Sequence, residues 1–120
     1  MIKFVMCITR RPGMSRDEFR DYWINRHGPY FMQNASAMRA KKYVQSLTLD
    51  TPLNEGLRAS RGMRAEYDGV AEVWFESEAD LMEGMSSPEG QKLGEALLED
   101  EKNFIDHSKS SAFIVEEREL

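Results

Sequence analysis

The first strand-like segment of this chain is apolar on both of its faces, and that limits the folds open to it. In residues 2–9 (IKFVMCIT), Ile2, Phe4, Met6 and Ile8 fall on one side of an extended chain. Val5 and Cys7 fall on the other side, between Lys3 and Thr9. Residues 70–76 repeat the pattern, with Ala71, Val73 and Phe75 on one side and Val70 and Trp74 on the other. Residues 111–117 alternate Phe113 and Val115 with Ala112 and Ile114. Such strands belong in a sheet covered on both faces, because each buried apolar side chain contributes about 1.5–3 kcal/mol.

The segments between the strands supply cover for one face. Arg10-Arg11-Pro12-Gly13 ends the first strand in a turn. Ser15 followed three residues later by Glu18 is a capping box, and Met14 can staple onto Phe19. Phe19, Tyr22, Trp23 and Arg26 follow a helical stripe, which His27-Gly28-Pro29 interrupts. Pro29 suits the first position of a renewed helix running to about Met38. Residues 40–49 form a second strand, 50–67 a long polar connection, and Asp68-Gly69 a turn into the third strand. Ser77 caps a further helix, and Ser87-Pro88 restarts it with Leu93, Leu97 and Phe104 along its apolar stripe. The order β-α-β-β-α-β is the ferredoxin-like α+β arrangement, a four-stranded antiparallel sheet with helices on one face. The uncovered face is expected to close on a second copy, as a homodimer with sheets packed face to face.

A chain of 120 residues makes one domain, residues 1–120. A net charge of −5 with no basic patch argues against nucleic acid as a partner. The longest apolar run, Phe4 to Ile8, is far short of the ~20 residues that span a bilayer and reads as no signal peptide. One cysteine excludes an internal disulfide and a cysteine zinc cluster, so a cytoplasmic location is expected. No Gly-x-Gly-x-x-Gly, P-loop or Gly-x-Ser-x-Gly string occurs to suggest a nucleotide cofactor or a serine hydrolase.

The string Arg11-Pro12-Gly13-Met14-Ser15, Phe19, Tyr22-Trp23, Arg26-His27-Gly28-Pro29 resembles the EthD family. Further blocks match in order: Asp68 to Phe75, Ser87-Pro88-Glu89, Asp100-Glu101 and Phe104-Ile105-Asp106. The likeness runs from Ile2 to Glu117, and its most specific part is the spacing from Trp23 to His27-Gly28-Pro29. It implies a dimeric α/β barrel, in agreement with the two apolar faces. It also implies company with a lactone isomerase and with proteins that tailor polyketides, while leaving the reaction open.

His27 is the leading catalytic candidate, set between two helical segments whose ends act on its proton in opposite senses. The alternative is that it only shapes the turn. Tyr30 or Tyr43 is a candidate donor to a substrate oxygen, against a plain core role for each. Trp74, with Trp23, is a candidate wall for an aromatic ligand. Glu72 is either a desolvated acid in the site or the partner of a Lys or Arg at the dimer face, the second reading being preferred. Asp100 and Asp106 read as surface or capping carboxylates, His107 as a helix-terminus residue and Cys7 as core. Arg58, Arg61 and Arg64 recur every three residues. They suggest a short helix facing an anion, or, as preferred here, a solvated mobile loop touching the partner subunit. No metal ligand set is specified.

Two classes of function remain. One is a cofactor-free isomerase or lyase, in which His27 moves a proton during isomerisation, dehydration or cyclisation of a lactone or polyketide-like molecule. The other is a non-catalytic module that binds a hydrophobic or aromatic small molecule, or an accessory module that stabilises a partner enzyme. A monooxygenase-like barrel is a third reading, by analogy of fold alone.

Overall fold

The computed structural model describes residues 1–120. Four strands, β1 (Ile2–Ile8), β2 (Lys42–Leu47), β3 (Gly69–Phe75) and β4 (Ser111–Glu116), form one antiparallel sheet in the order β2-β3-β1-β4. That is the expected ferredoxin-like topology. Helices α1 (Arg16–Tyr22) and α2 (Gly28–Asn34) follow β1; α3 (Pro52–Arg61) follows β2; α4 (Glu78–Ser86) and α5 (Pro88–Glu101) follow β3. Ser15 and Glu18 close the capping box in both directions. Ser77 and Ser87 cap α4 and α5 through the backbone N–H groups of Asp80 and Gly90.

The chain does not break at His27-Gly28-Pro29. It stays helical and widens into one π turn over Trp23–His27, closed by the Gly28 N–H on the Trp23 carbonyl. Pro29 has no N–H for the Asn25 carbonyl and its ring crowds it, and the wider turn relieves that conflict. The turn also sets the buried face. Phe19, Trp23, His27 and Phe31 are all buried at four-residue intervals. On an ordinary helix that spacing drifts by about 40° per step, and the π turn takes up part of the drift. Arg26, expected in the stripe, is exposed instead and lies over the Tyr22 ring.

The connection 50–67 is not a structureless loop. Thr51 caps α3, Pro52 takes its first turn, and Gly62 ends it in the left-handed region at φ +61. No α3 residue is buried. The arginines of the connection spend their contacts locally: Arg58 on Glu66 at 3.6 Å, Arg64 over the Tyr67 ring.

Strand alternation sorts the sheet into two faces. Phe4, Met6, Ile8, Tyr43, Gln45, Ala71, Val73 and Phe75 face the helices, and two core clusters form there. The first gathers Ile8, Phe19, Trp23, Ala71, Phe104 and Ile105. The second gathers Phe31, Val73, Phe75, Leu81, Leu93 and Leu97. The opposite face carries Lys3, Val5, Cys7, Val44, Val70, Glu72, Trp74 and Phe113, and no helix covers it. Asp68, just before β3, is buried and pins the end of β1 to the start of α1. It accepts from the Arg10 backbone N–H at 2.8 Å and pairs with the Arg10 and Arg16 guanidiniums at 2.5 and 3.3 Å. No helix is long and apolar enough to cross a membrane.

Candidate functional site

A cavity of about 180 Å³ lies between the helix layer and the sheet, where the two core clusters meet. Most of its wall is aliphatic, aromatic or methionine, including Phe4, Met6, Phe31, Met38 and Met85. Titratable side chains reach it at three places only: His27, Tyr43 and Glu101.

His27 is delivered by the π turn and is 7% exposed. Its Nδ1 sits 2.7 Å from Oδ2 of Asp100, in the last turn of α5. A carboxylate only accepts, so the proton of the neutral ring is on Nδ1 and the lone pair on Nε2. Nε2 makes no hydrogen bond within the protein and is the nitrogen left for a molecule in the cavity. The Phe104 ring packs against the imidazole with centroids 5.0 Å apart. Asp100 is held from its other oxygen as well, by the Tyr22 hydroxyl at 2.5 Å, and Asn103 donates to that hydroxyl in turn. Burial works to raise the Asp100 carboxyl, but the hydrogen bonds from Tyr22 and His27 and the His27 charge outweigh it and hold it below its ordinary value. Burial and the bond to Asp100 push the Tyr22 phenol up, so it keeps its proton and serves as a donor.

Two helix ends acting on a free imidazole are therefore absent, because the helix is continuous. A carboxylate 73 residues along the chain sets the ring's tautomer instead. Asp100 is not the surface or capping group that its position suggests. Glu101, the next residue, turns toward the cavity and accepts at Oε1 from His107 Nε2 at 3.0 Å.

Tyr43 lines the cavity from β2, with its ring 4.6 Å from that of Phe31. The remaining expected ligand contacts are elsewhere. Tyr30 is exposed, in an outer cleft with Asp100 and Asn103 rather than in the cavity. Trp74 and Glu72 stand on the open face of the sheet, since β3 turns Ala71, Val73 and Phe75 inward. There Glu72 pairs with Lys3 at 2.6 Å, and Lys3 and Lys42 lie over the Trp74 indole, which also donates to Glu117. Trp23 does reach the cavity wall. Gln45, absent from the sequence-based candidates, carries one signal: an amide on the inward face of a strand between Tyr43 and Leu47.

The chain matches the EthD domain model over residues 11–108. Among solved structures it is similar to an EthD family protein of Bacillus halodurans, with 16% identity, a TM-score of 0.66, and 98% of this chain and 99% of that one covered. It is also similar to a dimeric ferredoxin-like protein of Thermobifida fusca, with 11% identity, a TM-score of 0.58, and 95% and 88% covered. A third is SnoaB of Streptomyces nogalater, described as a cofactor-independent oxygenase, with 12% identity, a TM-score of 0.55, and 99% and 94% covered. At these identities the likeness is one of fold. No curated protein matches the sequence.

Proposed function

The chain belongs to the EthD family, and from that premise we propose that it is a small acid–base enzyme, an isomerase or lyase acting on a one-ring carbonyl compound. The observation that carries this reading is the His27–Asp100 pair with the imidazole on the wall of an apolar cavity. Nε2 takes a proton from the carbon beside a carbonyl; the C–H pair becomes a C=C bond and the carbonyl π pair moves to oxygen as the enolate. Return of that proton at another carbon isomerises the substrate, and loss of a hydroxyl as water dehydrates it. Such steps ask for positioned acid–base groups and no redox centre, so the enzyme is read as free of cofactors. Size narrows the substrate. A dry cavity of roughly 150 Å³ holds a benzene ring, and this one measures about 180 Å³. A single-ring lactone or ketone fits that space.

The test uses one-ring lactones and cyclic diones in D2O, with deuterium uptake beside the carbonyl followed by NMR. The protein is expected to accelerate uptake, and His27→Ala to cut the acceleration ~10²–10⁴-fold with the melting transition kept. Bound ligand with no faster uptake than in buffer would instead mark a non-catalytic binding module. A second reading takes its support from the fold shared with SnoaB. The same enolate is electron-rich enough to react with dioxygen, and ligand-dependent oxygen consumption in the D2O experiment would favour it.

In this reading the open sheet face closes on a second copy, as the dimeric ferredoxin-like neighbour suggests. Val5, Val44, Val70 and Phe113 lie on that face, and Phe113 is 48% exposed in the single chain. Sedimentation should give twice the chain mass, and Phe113→Asp should give monomers. A wild-type monomer at micromolar concentration would remove the dimer from the reading.

A further inference from the structure

Tyr43 differs from every other polar group on the cavity wall in how its hydrogen bonds are filled. Its hydroxyl oxygen accepts from the Trp23 indole N–H at 3.0 Å and from the Gln45 amide N–H at 3.1 Å. Neither donor can reverse roles. An indole nitrogen only donates, and the Gln45 amide is oriented by a second bond from the same Nε2 to the Trp23 carbonyl at 2.9 Å. The phenol oxygen thus accepts from two protein donors, while its own proton has no acceptor in the protein. Burial, opposed only in part by those two donors, pushes the phenol above its ordinary value, so that proton is present at neutral pH.

The bracket accounts for the glycine that follows His27. A Cβ on Gly28 would stand 2.8 Å from Nε2 of Gln45 and 3.1 Å from the Trp23 carbonyl oxygen. The Gly28 backbone is ordinary helix (φ −58), so no conformational need calls for glycine there. What the position requires is room for the Gln45 amide. The His-Gly-Pro string therefore serves two groups at once: His27 for the proton, and Gly28 for the amide that holds Tyr43.

We propose that Tyr43, bracketed by Trp23 and Gln45, is an obligate hydrogen-bond donor to the ligand, and that it receives the oxygen on which negative charge develops. The ligand is then a one-ring molecule with an acceptor oxygen for Tyr43 and an acidic proton for Nε2 of His27. An enolisable cyclic ketone or lactone has both. This deepens the acid–base reading and rests on it for the role of His27, while the donor role of Tyr43 is tested by binding alone.

The probes are 4-fluorophenol, a one-ring mimic of an enol whose 19F shift reports ionisation, and fluorobenzene, which lacks the hydroxyl. Each is titrated into the full chain by 19F NMR. Tyr43→Phe is expected to weaken 4-fluorophenol about 10- to 100-fold, as for a hydrogen bond to a charged oxygen, with fluorobenzene unchanged. Gly28→Ala pushes the Gln45 amide aside and tightens a contact with the Trp23 carbonyl oxygen, but deletes no buried group, so it stands in if Tyr43→Phe does not fold. It should weaken 4-fluorophenol several-fold and again spare fluorobenzene. Equal losses for both probes, no loss for either, or failure of the wild type to bind 4-fluorophenol would each overturn the proposal. Failure of the base is read separately. If bound 4-fluorophenol stays un-ionised and Tyr43→Phe still weakens it selectively, the donor stands and the His27 mechanism falls. If it ionises and binds Tyr43→Phe as tightly as the wild type, the donor alone falls.

Discussion

Asp68 and Asp100 are both withdrawn carboxylates with more than one partner, yet they serve different ends. Asp68 is held by two guanidiniums and a backbone N–H. Arginine keeps its proton at any physiological pH, so the cluster has nothing to transfer, and it lies off the wall of the cavity that His27 lines. Its work is to tie β1, β3 and α1 together. Asp100 is held by an imidazole and a phenol. An imidazole can exchange a proton at the nitrogen its partner leaves free, and this one stands on the wall of a cavity. Pairing of a carboxylate is therefore a poor guide to function. The chemistry of the partner, and whether space for a ligand adjoins it, separates a clamp from a site.

The comparison is sharpened by removing each carboxylate in turn. Asp68→Ala should have the largest effect on stability, about 2–3 kcal/mol, because the Arg10 N–H loses its acceptor. Both arginines keep access to water, so the full penalty of a broken buried pair is not incurred. A melting temperature lowered by roughly 10 °C is the expected readout, with deuterium uptake per folded molecule unchanged. Asp100→Asn should do the reverse. Uptake falls about 10²–10⁴-fold, as the imidazole loses the carboxylate that fixes its tautomer, and the melting temperature barely moves. Equal effects of the two substitutions on uptake would erase the distinction between clamp and site.

The smallest effect concerns pH. The Asp100 carboxyl lies below its ordinary value in the folded chain. It therefore adds stability above about pH 4, the unfolded value, and that increment is lost as pH falls through the folded value. Asp100 is about a quarter exposed, so screening keeps the increment small. Melting temperatures of the wild type and Asp100→Asn, compared between about pH 6 and pH 2.5, should converge by about 1–2 °C on the acid side. A gap that widens on acidification would contradict the direction assigned to Asp100.

Most of the architecture is legible in the sequence because it is written locally. The capping box at Ser15 and Glu18, the alternation in β1 and β3, and the order of elements need only neighbours a few residues apart. Thr51-Pro52 and Gly62 mark the ends of α3 in the same local way, and the polar composition between them hides the helix. The site is legible only in part. His27 stands out through its motif, whereas Asp100 meets it from 73 residues away and no spacing rule links them. Trp74 and Glu72 follow from the alternation of β3, but which side of the strand meets the helices is decided by packing. The π turn is the hardest to foresee, since Pro29 reads as a break and the helix instead absorbs it by widening.

The account depends on an imidazole that carries its proton on Nδ1 and offers Nε2 to the cavity. Long-range 1H–15N correlation spectra of 15N-histidine-labelled protein near pH 8 measure this directly. The account predicts a protonated Nδ1 and a bare Nε2 for His27, with the Nε2 signal moving when a one-ring ketone is added and lost in His27→Ala. A proton on Nε2, or a His27 signal indifferent to a ligand that fills the cavity, would contradict it.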